Sequence, residues 1–560
     1  FAIYNVDNEE VPATNSKGET IGTLETIDGK EYYTVQTDEN GEITADLTEG
    51  LYKAVEVQAP EQYYVTNQTY YFGIGASREG KKSAQAQWAK GIGGSSYDYI
   101  YSVAETRDGG YIVGGYFKSE SVDLGNGVTL NNNGSTSYAD GMIIKYDSDG
   151  NTQWAKAIGG SEDDTIKSVI ETSDGGIIVG GGFESANIDL GNEVTLENNG
   201  SDDGMIIRYD ADGNVQWAKE IGGSNDDYIE SVAETSDGGY IAGGYFYSES
   251  IDLGNGVTLE NNGSHDGMII KYDVDGNVQW AKGIGGSGQD FINSVAETRD
   301  GGYIAVGYFY SSSIDLENGV TLTNNSSSIY NADGMIIKYD AEGNVKWAKG
   351  IGESYSEEIT SVISTSDGGI IAGGYFESSS IDLGNGVTLN NSGGYDAGMI
   401  IKYDKNGVAQ WAKGMGGSND AGIYSVAETS DGGYIAGGYF ESDYIDLGNG
   451  VTLTNNDSTL YADGMIIKLD SNGNTEWAKA IGGSRGDYIH SVAETSDGGC
   501  IAGGYFNSSS IDLRNGVTLN NNGSYDGLII KSELEGVPEA VIKQAKGIGE
   551  SDNDQIISVF

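Results

Sequence analysis

The sequence predicts an all-β chain: a small β-sandwich followed by a seven-bladed β-propeller of four-stranded blades. Three observations predict this class. From Gln87 onward one unit returns every 63 to 67 residues, with Trp88, Trp154, Trp217, Trp280, Trp347, Trp411 and Trp477 as landmarks. Periods of this size mean stacked or radially arranged copies of one supersecondary unit. Each copy divides into four short strand candidates with no helical pattern, which describes a propeller blade. The composition agrees: 89 glycines and 3 prolines in 560 residues read as a turn-rich β protein without collagen periodicity.

Residues 1–76 stand outside the repeat. FAIYNV, YYTVQT, GEITADL, LYKAVEVQAP and QTYYFGIG alternate apolar and polar residues, with turns at Asp38–Gly41 and Thr48–Gly50. That is a small all-β sandwich. Its segment Gly50-LYKAVEVQAPEQY-Tyr64 resembles the B-type repeat domains of Gram-positive surface proteins and pilins, the prealbumin-like family. A penultimate strand there reads roughly Gly-x-Tyr-x-x-x-Glu-x-x-Ala-Pro-x-x-Tyr, and FAIYNVD matches the family's Phe-x-Leu-Tyr-x-x-Asp strand. The resemblance covers nearly all of this domain and implies its fold. In that family a strand Lys can condense with an Asn, assisted by a buried Glu, and Glu56 falls at that Glu's position. The Lys usually precedes the first strand, in a region this sequence does not include, and no Asn follows Tyr70 in the closing strand. The fold is therefore carried over and the crosslink is not. Glu56 stays open between an isopeptide-type acid and an ordinary sheet carboxylate.

A linker, 77–86, leads into the repeats. In the first copy Ser102–Thr106 is followed by Asp108-Gly-Gly110, a hairpin signal, and then by Tyr111–Phe117. A longer Gly/Asn/Ser segment precedes Met142–Asp147, and the turn Ser148–Asn151 leads into Thr152–Ile158. A β-solenoid is the alternative, but its coils are usually shorter and lack this hairpin-rich spacing. Gly114-Gly115 and their copies permit close approach near a crowded axis. The Trp of the last strand supplies an apolar face for the neighbouring blade. The region 87–560 resembles bacterial β-propeller repeats reading Trp-x-Lys-x-x-Gly-Gly, Asp-Gly-Gly-Tyr-Ile-x-x-Gly and Lys-Tyr-Asp-x-x-Gly-Asn. That resemblance implies a fold and no ligand.

Ring closure follows from the strand order. Gln87–Ile92 is a fourth strand with no preceding strands of its own, and seven sets of the first three strands follow, ending at Leu528–Lys531. The next fourth strand is replaced by Glu533–Lys543, which carries Pro538 and no Trp. Seven blades over 87–540 then close by strand exchange, with Gln87–Ile92 beside 527–531 and Trp88 packed in the last blade. Closure removes an exposed sheet edge. Residues 541–560 would begin a further truncated repeat or a second propeller; an eight-bladed ring with its eighth blade truncated is the alternative. Both ends of the chain read as cut within structure.

Charge and motifs bound the function. Acidic residues outnumber basic ones 85 to 30, a formal charge of −55. Nucleic acid and anionic membrane surfaces are thereby disfavoured as partners. No apolar run reaches spanning length. Asp147–Asn151, Asp210–Asn214 and Asp273–Asn277 look like calcium loops but lack the Glu six residues past the Gly. An Asp-Gly two-residue hairpin suffices for them. No metal or cofactor is expected, with calcium as the one alternative. Two acidic positions recur, the Asp before Gly-Met-Ile-Ile (Asp140, Asp203, Asp266) and that of Gly-Gly-Ser-x-x-Asp (Asp98, Asp164, Asp227). Both read as acceptors of backbone N–H bonds at tight turns. Arg485-Gly-Asp487 spells an integrin-type tripeptide at a position where other copies drift. Cys500, the single cysteine, occupies the place of Tyr111 and reads as a buried structural thiol.

Catalysis has little support. His265 and His490, the two histidines, occur in single copies and form no evident metal or Ser/His/Asp arrangement. The reading is a non-enzymatic, extracellular bacterial protein, cell-wall associated or secreted. Its propeller binds an extracellular protein or glycan on a sandwich-domain stalk. A hydrolytic enzyme using the propeller face, or a spacer, is the alternative. Binding belongs where the copies differ, so Tyr138, Tyr330, Tyr395 and Tyr461 in the variable loops are the candidate contacts.

Overall fold

Each repeat forms an antiparallel sheet because alternating apolar residues run between turns that glycine can enter. The computed structural model describes residues 2–5, 23–27, 30–34, 50–55, 69–74 and 83–535, except 327, 392, 394, 457–460 and 515, with side chains between 85 and 533. In blade 1 the first strand is Asp98–Glu105, the second Tyr111–Phe117, the third Asp140–Tyr146 and the fourth Thr152–Ile158, each hydrogen-bonded to the next. Five further blades repeat this order. The seventh takes Asp487–Glu494, Cys500–Phe506 and Asp526–Glu535 from the end of the array, and Ser83–Ile92 from its start as the fourth strand. The ring therefore closes at seven blades, and the eight-bladed alternative is not formed. Trp88 differs in detail from expectation. It rides on the seventh blade, but its ring packs on blade 1, 5.6 Å from Tyr111 and edge-on to it.

The first strands meet around the axis, and there each sheet is irregular. Every first strand carries a one-residue bulge, as between Ile100 and Ser102. The second strand accommodates this with a glycine opposite the bulge, preceded in every blade but the fourth, which has Val306, by another glycine. A Cβ at Gly115 would lie 1.9 Å from the carbonyl oxygen of Tyr99, and one at Gly114 would lie 2.8 Å from Ile166 of the next blade. The first glycine thus serves sheet-to-sheet approach and the second the bulge within one sheet. After the bulge, a serine hydroxyl accepts the backbone N–H of a valine in the next blade. Val169 to Ser102 spans 3.1 Å, Val232 to Ser168 3.2 Å, and Val103 to Ser491 3.1 Å closes the circle.

The core lies between blades. Strand period two sends alternate side chains to opposite faces, so Tyr111 and Val113 join a cluster with Ile501 and Ile529 of blade 7. Ile112 joins one with Ile166 and Val169 of blade 2. Seven such clusters fill the seams. A buried Lys or Arg on each third strand is absent from the sequence reading. Lys271, 1 % exposed at its side chain, reaches Asp237 of the first hairpin turn at 3.0 Å and Thr235 Oγ1 at 3.0 Å. The same pair recurs in every blade.

Two local expectations are corrected. The third-to-fourth turn is not a two-residue hairpin. Gly150 at φ 77° donates to Asp147 O, Asp147 N–H bonds Asn151 O, and the register slips at Lys145/Tyr146, so the turn is longer and bulged. The Gly/Asn/Ser segment is not simply a loop. It contains a two-stranded ribbon, Ser121–Asp123 with Thr129–Asn131, whose Val122 and Leu130 are buried.

The propeller, 84–534, is one compact unit and residues 1–83 belong to another. In the latter the described strands form a five-stranded sheet in the order Thr23–Ile27, Lys30–Thr34, Ala2–Asn5, Gly50–Val55, Thr69–Ile74. The turn at 38–41, GEITADL, most of the turn at 48–50, Glu56 and the segment 541–560 lie outside the described residues.

Candidate functional site

The bulge turns one side chain per blade toward its neighbours at the axis. These seven residues are Tyr101, Lys167, Glu230, Asn293, Thr360, Tyr424 and His490. Five of them form a chain of contacts, and Asn293 and Thr360 bond the backbone of the next blade. Lys167 Nζ lies 4.4 Å over the Tyr101 ring and 3.9 Å from Glu230. Asn293 donates to Ile359 O at 3.0 Å, and Thr360 to Ile423 O at 2.7 Å. His490 stacks on Tyr424 at 4.5 Å and meets Tyr101 edge-on at 5.4 Å. Burial, and then the Lys167 charge, pull the His490 imidazole down to about 3, so it is neutral. Its Nε2 is buried and has no hydrogen-bond partner.

The framework around these seven is constant. Ile precedes and Ser-Val follows in all seven copies, while the bulge position holds six residue types. A buried packing position of the same repeats, that of Tyr111, holds only Tyr, Ile or Cys. The bulge position carries charge, amide, hydroxyl and rings.

Aromatic rings extend the site outward at the end of the propeller where fourth strands turn into first strands. On blades 6, 7 and 1 the contacts run Tyr439–Tyr488 (5.3 Å), Tyr488–Tyr505 (5.0 Å), Tyr505–Tyr99 (4.0 Å) and Tyr99–Tyr116 (4.9 Å). On blades 3 and 4, Tyr245 meets Phe291 at 4.9 Å, and Phe291 stacks on Tyr308 at 4.9 Å. His265 is stacked on Tyr247 at 4.7 Å and is held below its usual range by burial.

Carboxylates occupy the intervening blades. Partial burial and then Asp202, Asp163 and Glu162 raise Glu184 to about 7. Burial and then Asp226 raise Asp202 to about 6. Three blades on, at the place corresponding to Asp202, burial and then Asp420 and Glu377 raise Asp396 to about 6, and on blade 6 burial and then Asp420 raise Glu441. Glu358 is raised to about 7 by burial despite accepting from Asn293 Nδ2 at 3.0 Å and from Tyr375 OH.

The loop tyrosines expected from sequence stand on the outer rim of this end, exposed by 36 % at Tyr138, 81 % at Tyr330, 54 % at Tyr395 and 51 % at Tyr461. Carboxylates of the blade 2 group surround Tyr138, with Glu162 hydrogen-bonded to its hydroxyl, and this raises its phenol. Tyr330 lines an open groove of about 650 Å³ with Tyr310, Gln289, Ser326 and Ile329. The structure does not bring the four together, because each sits on a different blade. The bulge residues, which do converge, escaped the sequence reading because they sit inside a strand. Aligning the copies column by column would have exposed them.

Other candidate residues are structural. Asp140, Asp203 and Asp266 accept the backbone N–H of Asn133, Asn199 and Asn262 at 2.7, 2.7 and 2.8 Å, as the turn reading requires. Asp98 accepts from Ser119 Oγ at 2.6 Å and Gly94 N at 2.9 Å. Within Arg485–Asp487, Asp487 is 0 % exposed and accepts from Ser508 Oγ at 2.6 Å, like its counterparts in other blades. Asp147 is satisfied by the N–H of Asn151 at 2.7 Å. Cys500 is buried, and burial raises its thiol to about 11. Trp477 packs in the same cluster and is 4 % exposed. Among the described residues, no three His, Cys, Asp or Glu side chains stand in a metal-holding group. Among them also, no helix is long and apolar enough to cross a membrane.

Residues 1–88 match a family model described as SpaA, the prealbumin-like fold domain. The chain is similar to an uncharacterized WD repeat-containing protein of Acanthamoeba polyphaga mimivirus, 22 % identical over 501 residues, covering 72 % of this chain and 36 % of that protein. It is also similar to the regulatory protein FlaEY of Caulobacter vibrioides, 22 % identical over 385 residues, covering 65 % of this chain and 38 % of the relative. The chain thus spans between 36 and 38 % of the length of these curated relatives. Among solved structures, Sqt1 from Chaetomium thermophilum aligns with a TM-score of 0.36 at 11 % identity, over 80 % of this chain and 99 % of that one.

Proposed function

We propose that the protein is a non-enzymatic binding module of a bacterial cell surface, extracellular and wall-attached or secreted. The propeller engages a partner through the end that carries the bulge residues, and the prealbumin-like domain serves as a stalk. One observation carries this reading: the seven blades share their framework, yet differ at the side chains that converge on the axis. Loops and strand ends on a rigid scaffold are where recognition concentrates, and tyrosine supplies contact area at low entropic cost. The prealbumin-like match supports a Gram-positive surface setting, since the resembled domains occur there. The rim tyrosines Tyr138, Tyr330, Tyr395 and Tyr461 extend the surface, so partners that span several blades would use both sets.

The test is a screen of the purified chain against arrays of glycans and extracellular-matrix proteins. A ligand found there should lose at least about tenfold in affinity, about 1.4 kcal/mol, when Tyr101 and Tyr424 are both replaced by Ala. Replacing Tyr138, Tyr330 and Tyr461 by Ser should weaken large ligands further. Unchanged affinity in the axial variant would move the site elsewhere, and a reproducible hydrolytic turnover would overturn the non-enzymatic reading.

A further inference from the structure

We propose that the groove between blades 3 and 4 is a binding site for a neutral saccharide, with a sugar ring laid on Tyr330 and its hydroxyls met by Gln289 and the groove serines. This rests on the reading of the propeller as a binding module and adds a contact place off the axis.

The groove encloses about 650 Å³, inside the range of roughly 300–1,000 Å³ usual for small-ligand sites. Among the described residues, none of those lining it carries a charge, in a chain of formal charge −55. Gly288, Gln289, Tyr310 and Ser312 form one side of it. The same four places hold at least one charged residue in each of the other six blades: Lys118, Asp163, Asp226, Glu377, Asp420 and Arg485, in blade order. The fold itself does not demand neutrality here, since six blades form with the charge present. An uncharged ligand does, because a carboxylate covered by it would lose water without gaining a partner.

The opposite wall is the longest of the seven connections between second and third strands. Asn324 and Asp333 are nine positions apart where Asn261 and Asp266 are five. The added length carries Ile329 and Tyr330, 78 % and 81 % exposed, more than any other large hydrophobic residue described. Short polar bonds hold this wall in place. Ser328 N donates to Ser326 Oγ at 3.1 Å, Tyr330 N to Ser328 Oγ at 3.2 Å, and Asn331 Nδ2 to Ser354 O at 2.8 Å. Across the groove, Tyr310 stands edge-on to Tyr308 at 6.0 Å, and Gln289 is exposed. Walls set before binding reduce the ordering cost of the complex.

The lining selects the ligand class. Hydroxyls and amides dominate it, with two tyrosine rings and one aliphatic side chain. A pyranose offers an apolar C–H face to a ring and a rim of hydroxyls to such partners. A peptide anchored by apolar side chains would need a dry pocket, which a single isoleucine does not make. An acidic sugar would find no cation in the groove to pair with.

The experiment titrates the full chain with neutral tetrasaccharides of glucose, mannose, galactose and N-acetylglucosamine, beside tetragalacturonate and a Gln/Ser/Gly peptide. At least one neutral tetrasaccharide should bind, with an affinity that salt leaves unchanged, and tetragalacturonate should not. Y330S and Q289D should each weaken that binding at least about tenfold. Q289D installs the residue that Asp163, Asp226 and Asp420 represent at the same place, so the blade tolerates it, and thermal unfolding of each variant checks this. Y444S alters a tyrosine on blade 6 that is 62 % exposed and should leave binding unchanged.

Absence of binding by every neutral tetrasaccharide overturns the proposal, as does a loss in Y444S equal to that in Y330S. Preference of the groove for the peptide or for tetragalacturonate also overturns it. A saccharide lost in the Tyr101/Tyr424 variant but kept by Y330S and Q289D removes the groove and leaves the axial reading standing. Loss in the groove variants alone upholds the groove and removes the axial reading.

Discussion

Tyr101 and its six counterparts differ from their neighbours in one respect, that a bulge frees their side chains from the packing between blades. Ile100, one residue earlier, is 0 % exposed and has no such freedom. The same contrast separates two kinds of carboxylate. Asp108, Asp237 and Asp300 are lowered to about 2: against burial, which raises them, hydrogen bonds from Thr106, Thr235 and Thr298 and a buried lysine hold them down. Glu184, Glu357, Glu358 and Asp164 are raised to about 7, first by burial. The signs oppose. The lowered group contributes stability that is present above its unfolded value near 4 and lost as pH falls toward 2. The raised group contributes stability that is complete below about 4 and lost as pH rises through 6 to 7. Thermal unfolding followed from pH 3 to 8 should therefore show its highest midpoint between about 4 and 6. A midpoint that is flat or rising from pH 5 to 8 would contradict this account of the raised carboxylates.

At the scale of the strand, the second strand is the element on which the blade depends. Its residues alternate between two seams, and its paired glycines admit the bulge on one side and the next sheet on the other. Gly244 shows the requirement: an added Cβ would lie 1.9 Å from the Tyr228 carbonyl oxygen. Gly244→Ala should destabilise the propeller by about 2–4 kcal/mol, since backbone rather than a side chain must move. Urea unfolding measures this, and a loss below about 0.5 kcal/mol would mean that the bulge adapts. The ribbon inserted between second and third strands was legible and overlooked. Gly-Asn-Gly between Val122-Asp-Leu and Val128-Thr-Leu is a hairpin signal flanked by alternating apolar residues. The Lys145–Asp108 pair was less legible, because 37 residues and a ribbon separate its members.

At the scale of the molecule, closure makes blade 7 equivalent to the others. The Ser491–Val103 hydrogen bond at 3.1 Å across the last seam matches those at the other seams, and the Ser496–Glu105 bond at 2.7 Å matches those at every other seam but that of blades 4 and 5, where Ser364 stands in place of the Glu. Strand Ser83–Ile92 supplies the missing edge, with Ile92 2 % exposed in the blade 7/blade 1 core. Replacing both Trp88 and Ile92 by Asp should release that strand, lower the unfolding midpoint by more than 5 °C and expose the edge of Asp526–Glu535 to association between molecules. Light scattering and thermal unfolding would show it; a monomer of unchanged midpoint would mean that the ring holds without strand exchange. The sequence by itself determined the blade count, the strand order within a blade and the exchange of the N-terminal strand, because period, turn residues and strand alternation are local and repeat sevenfold. Only the tertiary structure decided which residues meet at the axis. A bulge shifts side-chain direction by one residue without altering composition, and radial packing brings together positions more than 60 residues apart in sequence. The loop tyrosines were visible as variation in length. The convergent site was hidden because its variation lies in the middle of the most regular element of the fold.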